Sequence, residues 1–403
     1  MMLSADTKSL IHLNLIPGIG NHTIRRLLAA FGSAEKSIAA TSEELARIDG
    51  LTPDVRQQLI DGRSHAPLAQ ELELIDQHQC HVVTISDDTY PPLLKQIDDP
   101  PVLLYIIGDF PLQDAPSVAI VGSRSPTEYG KTTSQQLSYQ LAERGITVVS
   151  GFARGIDTCV HRGALEAGGC TVAVFGCGLS IIYPETNRAL ATEIIESGAL
   201  VSEFPMTMPP RGKNFPRRNR VISGLTLGTL VVEASERSGS LITARHAAEQ
   251  GREVFAVPGQ IFSGRSRGTH SLINQGATLI NSVDDLLDAL PQDYTKFLGG
   301  ESLEATHQPT PRLNRDSKRA DTTATPQSTG EKSTPSSQPE TKVELNLTPD
   351  EQAVLSAMEV DSVHIDEITR VTQLPIGKVS SLLVMLELKG IVQQLPGKQF
   401  VKK

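Results

Sequence analysis

The sequence has no tryptophan, and aromatic residues fill only 4% of its 403 positions. That scarcity argues against a binding surface built from many stacking platforms. Cysteine is also scarce: Cys80, Cys159, Cys170 and Cys177 form no C-x-x-C pair, and no histidine lies at zinc-finger spacing. The four thiols read as buried residues of a reducing cytosol, and neither a metal nor another cofactor is expected. No apolar run approaches the length of a membrane span, so no membrane attachment is expected. Residues 1–15 hold one lysine and lack the long apolar core of a secretory signal. Together these absences point to a cytoplasmic protein. Positive charge is in deficit, with 37 Lys and Arg against 46 Asp and Glu for a net charge of −9. A basic field over the whole protein is excluded, and a nucleic-acid site must be a local basic patch on an acidic body.

What is present is ordinary for a globular chain of several domains, with 39% hydrophobic and 21% charged residues. Residues 115–290 alternate apolar runs of strand length with helix-length segments. The strands are expected at 118–121, 146–150, 171–175, 200–203, 230–232 and 254–257, and the helices at 129–144, 158–167, 186–197, 217–223, 241–250 and 270–274. Near-continuous Val, Ile and Ala strands separated by helices predict an α/β fold with a parallel sheet covered on both faces. Gly145, Gly168 and Gly251 stand where helix C-caps belong. In such a sheet ligands bind beyond the carboxyl ends of the strands.

The flanking regions differ. Residues 10–16 and 23–31 read as two helices joined by Pro17-Gly18-Ile19-Gly20, a helix-hairpin-helix pattern whose glycines allow close approach to a phosphate. Arg25 and Arg26 are its only local cations, and an ordinary αα-hairpin is the plainer reading. This helical domain is assigned to residues 1–85 and the sheet domain to 86–298. Residues 299–346 are rich in Ser, Thr, Pro and Gln and read as a flexible linker. Residues 347–403 open with the capping box Thr348-Pro349-Asp350-Glu351. Three short helices and a hairpin at 391–401 then make a winged helix. Its third helix offers only Lys378 and Lys389 as cations, so protein contact and DNA contact weigh equally there.

Several strand ends carry anion-binding chemistry. Gly122-Ser123-Arg124 follows the first strand of the sheet and makes a small nest, with Arg124 free to grip a phosphate or stack on a base. Ser150-Gly151-Phe152-Ala153-Arg154-Gly155-Ile156-Asp157 closes the second, and Asp157 reads best as a helix cap. Ser238-Gly239-Ser240 offers hydroxyls and N–H groups at a helix start. The densest signal is Arg211-Gly212-Lys213-Asn214-Phe215-Pro216-Arg217-Arg218-Asn219-Arg220, five cations in ten residues with one aromatic. Such a mixture suits a strand backbone plus one stacked base. Five phosphate contacts would give a log K against log salt slope of about −3.5. The competing structural reading pairs these cations with Glu203 and Glu233.

Enzymatic motifs are incomplete. The stretch from Ser125 to Thr132 ends in the Gly-Lys-Thr of a P-loop, but its first glycine is Ser125, Pro126 removes a cradle N–H, and Glu128 opposes phosphate. Gly176-Cys177-Gly178 lacks the third glycine of a dinucleotide fingerprint. No activated nucleophile, acid–base pair or metal cluster stands out, which favours binding of an extended polyanion over catalysis.

Five blocks in order resemble the DNA-processing protein A (DprA/Smf) family: Gly122-Ser123-Arg124; Ser150 through Asp157; Asn214-Phe215-Pro216-Arg217-Arg218-Asn219-Arg220; Ser238-Gly239-Ser240-Leu241; and Val254-Phe255-Ala256-Val257-Pro258-Gly259. The resemblance implies an extended Rossmann-like sheet domain between an N-terminal helical (helix-hairpin-helix or SAM-like) domain and a C-terminal winged helix. It further implies a homodimeric, non-enzymatic recombination mediator that binds single-stranded DNA and loads the RecA recombinase, in natural transformation or general recombination. Arg124, Lys213, Phe215, Arg217 and Arg220 would face DNA, with Lys213 and Phe215 at a base-accepting pocket. Ser123, Gly151, Arg154, Asn214, Arg218 and Ser240 complete the expected DNA-binding set. An alternative is a nucleotide-processing enzyme similar to lysine-decarboxylase-like phosphoribohydrolases, or a degenerate P-loop NTPase. The segment from Gly224 to Glu233 keeps the Gly228-Thr229 of the former but lacks its Pro-Gly-Gly and sets Glu233 one residue late.

Overall fold

The computed structural model describes residues 3–110, 115–291, 348–358, 363–388, 391–395 and 399–402. The chain forms two compact units, Met1–His307 and Gln308–Lys403. The expected linker at 299–346 lies outside the described residues.

The first unit opens with six helices: α1 (Ala5–Leu15), α2 (Asn21–Phe31), α3 (Ala34–Ala39), α4 (Ser42–Ala46), α5 (Pro53–His65) and α6 (Leu68–Gln77). Then follow β1 (His81–Thr84), α7 (Pro92–Lys95), β2 (Leu103–Gly108), β3 (Ser117–Val121), α8 (Glu128–Glu143), β4 (Thr147–Ser150), α9 (Ile156–Glu166) and β5 (Thr171–Val174). The remainder is α10 (Arg188–Ser197), β6 (Ala199–Ser202), α11 (Asn214–Gly224), β7 (Gly228–Val231), α12 (Ser240–Glu249), β8 (Glu253–Ala256), α13 (Arg267–Asn274), β9 (Thr278–Leu279) and α14 (Val283–Ala289). The strands make one sheet in the order β1-β2-β6-β5-β4-β3-β7-β8-β9. From β6 to β9 every pairing is parallel, as expected. The β2 strand joins β6 antiparallel and β1 joins β2 antiparallel, so the sheet is mixed at one edge.

The period of two is visible in the core. Val118 and Ile120 of β3 pack with Leu137, Leu141, Val160 and Phe255 on one face. Ala119 and Val121 point the other way, among Val174, Val221, Ile222 and Leu225. Strands β3 to β7 are buried on both faces, so alternation gives way to a continuous apolar run. Leu10, Leu13, Leu27 and Leu59 of the N-terminal helices lie in one cluster with Leu103, Tyr105, Phe175 and Leu200 of the sheet. The helical segment and the sheet therefore share a core.

The N-terminal hairpin forms as expected, with Gly18 at φ 84° in its turn. Its polar groups bond neighbouring segments of the protein. Asn21, at the start of α2, donates to Asp99 and to the Pro100 carbonyl, and its Oδ1 accepts from Val102 N–H at 2.8 Å. Arg25 donates to the Asp98 carbonyl at 2.6 Å and Arg26 to that of Asp49 at 3.4 Å. Asn21 and Arg25 thus hold the hairpin against residues 98–102, while exposed Arg26 reaches the neighbouring Asp49.

The second unit contains α15 (Pro349–Ser356), β10 (Val363–His364), α16 (Ile365–Thr372), α17 (Ile376–Leu388), β11 (Val392–Leu395) and β12 (Gln399–Lys402). The sheet order is β10-β12-β11, a winged helix, with the Thr348 capping box in place. Lys378 is paired with Asp350 at 2.7 Å, and Lys389 lies outside the described residues. Among the described residues no helix is long and apolar enough to cross a membrane.

One buried histidine couples the fold to pH. Thr171 Oγ1 donates its proton to the Val148 carbonyl at 2.8 Å, so it accepts from His161 Nδ1–H at 2.8 Å. Burial, assisted by the Arg218 charge, lowers the His161 pKa to about 3. The unfolded chain binds this proton below its ordinary value of 6.5, whereas the folded chain does not until about 3. Stability contributed by neutral His161 is therefore complete at pH 7 and is lost as pH falls through that window, by ~2 kcal/mol at pH 5. Urea unfolding at pH 7 and pH 5 is expected to show this drop in the wild type and a smaller one in His161→Gln. Equal drops would assign the pH dependence to other groups.

Candidate nucleic-acid interface

Strand order reverses between β3 and β7, the place where a doubly wound sheet usually holds a nucleotide. Here the protein fills it. Thr127 caps α8, its Oγ1 accepting from Gly130 N–H at 3.1 Å. Glu233, just past β7, accepts from Thr127 N–H at 3.0 Å and from the Thr127 hydroxyl. A phosphate at this helix start would meet the Glu233 carboxylate. Lys131, the lysine of the P-loop-like ending, is paired with Glu128 at 2.6 Å on the surface. Gly228 and Thr229 are buried inside β7, away from the strand's carboxyl end. The near-motifs of both nucleotide readings are thus engaged in local structure.

The basic segment divides into an inner and an outer set, because it is helical from Asn214 onward. Positions three or four apart share a helix face. Arg218 is buried and donates to the carbonyls of Gly151, at 2.6 Å, and Val174. A side chain on Gly151 would collide with the Arg218 guanidinium and the Asp157 carboxylate. Burial raises the Asp157 pKa and the Arg218 charge opposes that rise; its carboxylate also accepts from Ala153 N–H at 3.1 Å. Burial lowers the Arg218 pKa to about 10, still charged at neutral pH.

Arg220 is also buried, donating to both oxygens of Glu203 at 3.0 and 2.9 Å and to Asp99 at 3.2 Å. Arg218, Arg220 and Gly151 are therefore corrections to the expected DNA-facing set: Gly151 is buried at the end of β4 under the Arg218 guanidinium, and α11 is buried on every side from Arg218 onward. The structural alternative held for Glu203. Glu233 pairs with Thr127 instead of the basic segment.

The outer set remains available. Arg124, Arg154, Arg211 and Lys213 are exposed, and none makes a salt bridge among the described residues. Arg217 is also exposed, at 41%, but is paired to Glu203 at 2.8 Å and lies 5.3 Å over the Phe204 ring. The α11 helix begins at Asn214 without a side-chain cap. Asn214 is buried, and its Nδ2 has no acceptor among the described residues. An uncapped helix start beside cations is a ready anion site.

Phe215 stands over Gly176, where any Cβ would strike its ring. The open space of Gly176-Cys177-Gly178 therefore admits the protein's own aromatic and, at Gly178, the backbone of residues 205–206. The Arg124 guanidinium lies 5.6 Å from the Phe215 ring centre, and Tyr183 is 5.7 Å away on a neighbouring loop. Tyr183 is 48% exposed and was not expected from sequence, since it lies in a loop between β5 and α10 with no charge or glycine signal of its own. Ser123 accepts from Ser125 N–H at 3.1 Å. Ser240 is mostly buried, sharing a 2.7 Å hydrogen bond with Ser238 at the start of α12.

Fold and site define a Rossmann-type α/β protein whose nucleotide crevice is closed and whose strand-end loops present cations and aromatics, followed by a winged helix. Residues 81–291 match the family model described as DNA recombination-mediator protein A, and residues 335–398 match the DprA winged helix domain. The chain is 34% identical to Protein Smf of Synechocystis over 96% of either chain. It is 39% identical to DNA processing protein DprA of Bacillus subtilis, over 67% of this chain and 92% of that one. The crystallographic DprA of Streptococcus pneumoniae superposes with a TM-score of 0.64 at 35% identity, covering 72% of this chain and 99% of that one. The chain belongs to the DprA/Smf family of DNA recombination mediators.

Stability separates the inner cations from the outer ones. Arg218→Met and Arg220→Met are each expected to cost about 3 kcal/mol, because a buried carboxylate loses its partner. Lys213→Ala and Arg124→Ala should stay within about 0.5 kcal/mol of wild type. Urea unfolding midpoints test both; a neutral Arg218→Met would contradict its structural assignment.

Proposed function

We propose that this chain binds single-stranded DNA along the carboxyl edge of its sheet and loads the RecA recombinase onto that strand, without catalysing a reaction itself. The observation that carries this reading is the cluster of exposed, unpaired Arg124, Arg154, Arg211 and Lys213 around the uncapped start of α11, with Phe215 between Arg124 and Tyr183. Cations meet the phosphates, and the Phe215 face takes a base. The Asn214 amide has a donor to spare for a strand phosphate or base edge. Arg217 joins when phosphate replaces Glu203, a carboxylate that keeps Arg220. Ser123 lines the same strand ends with a hydroxyl, while Gly151, Arg218, Arg220 and the buried Ser240 support from within.

Family membership supports the mediator role, in natural transformation or general recombination within the cytoplasm. A homodimer is part of the proposal. Among the described residues no strand pairs with the outer side of β9, where Leu279 is 40% exposed.

A fluorescent oligo-dT titration at two salt concentrations tests the site. Five phosphate contacts, Arg217 included, give a slope of about −3.5, so a fourfold rise in salt should weaken binding roughly 130-fold. Arg124→Ala/Lys213→Ala should weaken binding and flatten the slope by about 1.4. Unchanged binding by the double variant would sink the assigned site. Loading is read as RecA filament growth on a strand already coated by single-strand-binding protein. Wild type should accelerate it and the double variant should not; no acceleration by wild type would reject the mediator step.

A further inference from the structure

A second cluster on the same edge is unexplained by the site above. Between β8 and α13 the chain presents Ile261 and Phe262, 77% and 97% exposed. Adjacent bare apolar side chains at a loop tip are costly unless something covers them. The loop is held in place by its backbone. Arg265 carbonyl accepts from Ala234 N–H at 2.8 Å, and Gly268 N–H donates to the Ala234 carbonyl at 2.8 Å. Ser263 Oγ accepts from Arg265 N–H at 3.2 Å. The tip therefore projects from a fixed base just beyond the end of β7. Arg265 and Arg267 flank it; both are exposed, and only Arg267 has a carboxylate nearby, Glu236 at 3.7 Å.

The distribution of exposed aromatics is uneven. Four among the described residues are strongly exposed: Tyr129, Tyr139, Tyr183 and Phe262. Three of them follow the carboxyl ends of β3, β5 and β8, and only Tyr139 lies elsewhere, in the body of α8. Tyr129 Oη donates to the Pro258 carbonyl at 3.1 Å, which joins the start of α8 to the end of β8. From β5 to β8 there are four inter-strand steps. At about 4.8 Å each they span roughly 19 Å, about six nucleotides at the roughly 3.4 Å per base of a stacked strand.

We propose that Phe262 and Ile261, with Arg265 and Arg267, form a second stacking contact for single-stranded DNA, so that one strand crosses the whole sheet edge from the Phe215 platform past Tyr129 to the β8 loop. This rests on the DNA-binding reading above and extends it. Single-stranded DNA is the occupant because cations border the apolar tip and because the tip continues the row of unpaired cations and aromatics on that edge. An apolar protein partner alone would leave Arg265 without a role.

The absence of tryptophan supplies the test. In Phe262→Trp the new residue is the sole tryptophan, and stacking on thymine quenches its fluorescence. Oligo-dT of about 16 nucleotides should quench Phe262→Trp and leave Tyr139→Trp unchanged. Phe262→Ala should bind the same oligonucleotide about 10-fold more weakly, at unchanged unfolding midpoint. If labelled oligo-dT binds wild type but Phe262→Trp is not quenched and Phe262→Ala binds equally, the loop assignment is overturned and the Phe215 site stands. Equal quenching of Tyr139→Trp would also overturn it. If wild type binds no oligo-dT, the DNA-binding reading itself falls. Loss of the dimer mass in light scattering by Phe262→Ala, with DNA affinity intact, would make the tip a contact between copies and reject the proposal.

Discussion

Arg218 is the interaction on which the site's geometry depends. Its guanidinium reaches across the carboxyl ends of β4 and β5, bonds the carbonyls of Gly151 and Val174, and faces the Asp157 carboxylate at the start of α9. Backbone carbonyls at strand ends have no further partner within the sheet, so a buried cation there satisfies them and needs a counter-charge. With Arg218 fixed, α11 lies across the strand ends in one register. Phe215, a turn earlier, is then carried to the rim above Gly176, with exposed Lys213 just before the helix start. A second buried link, Arg220 to Glu203 and Asp99, ties α11 to β6. Through Asp99 it also reaches Asn21 of the N-terminal hairpin.

The same ten residues thus serve two purposes. Inner cations secure the helix, and outer cations stay exposed without a salt bridge among the described residues. A count of charges overstates the electrostatic contribution to binding, since a buried, paired arginine adds no counterion release. This is also why the chain can be acidic overall and still bear a local basic rim.

The closed switch point channels ligand choice. A nucleotide needs phosphate at a helix start and room above the strands, and here Thr127 and Glu233 take both. Polar groups that remain open lie in several loops along one edge instead of one crevice. An extended chain of phosphates matches that arrangement better than a compact cofactor.

The central strands and the winged helix were legible in sequence because buried parallel strands are continuous apolar runs and capping boxes are local. Residues 81–84 and 278–279 were not: β1 is a largely unburied edge strand and β9 spans two residues, so neither carries the continuous apolar run of the central strands. Nor was the antiparallel edge, because pairing direction is set by neighbours distant in the chain. By itself the sequence determined the α/β class, the strand-end loops and the residue types they carry, all properties of local pattern. Tertiary structure alone decided which arginines face inward, that Tyr183 joins Arg124 and Phe215, and that the nucleotide crevice is shut. Each of these depends on side chains from separate strands meeting at one edge of the sheet, and a one-dimensional pattern holds no record of that meeting.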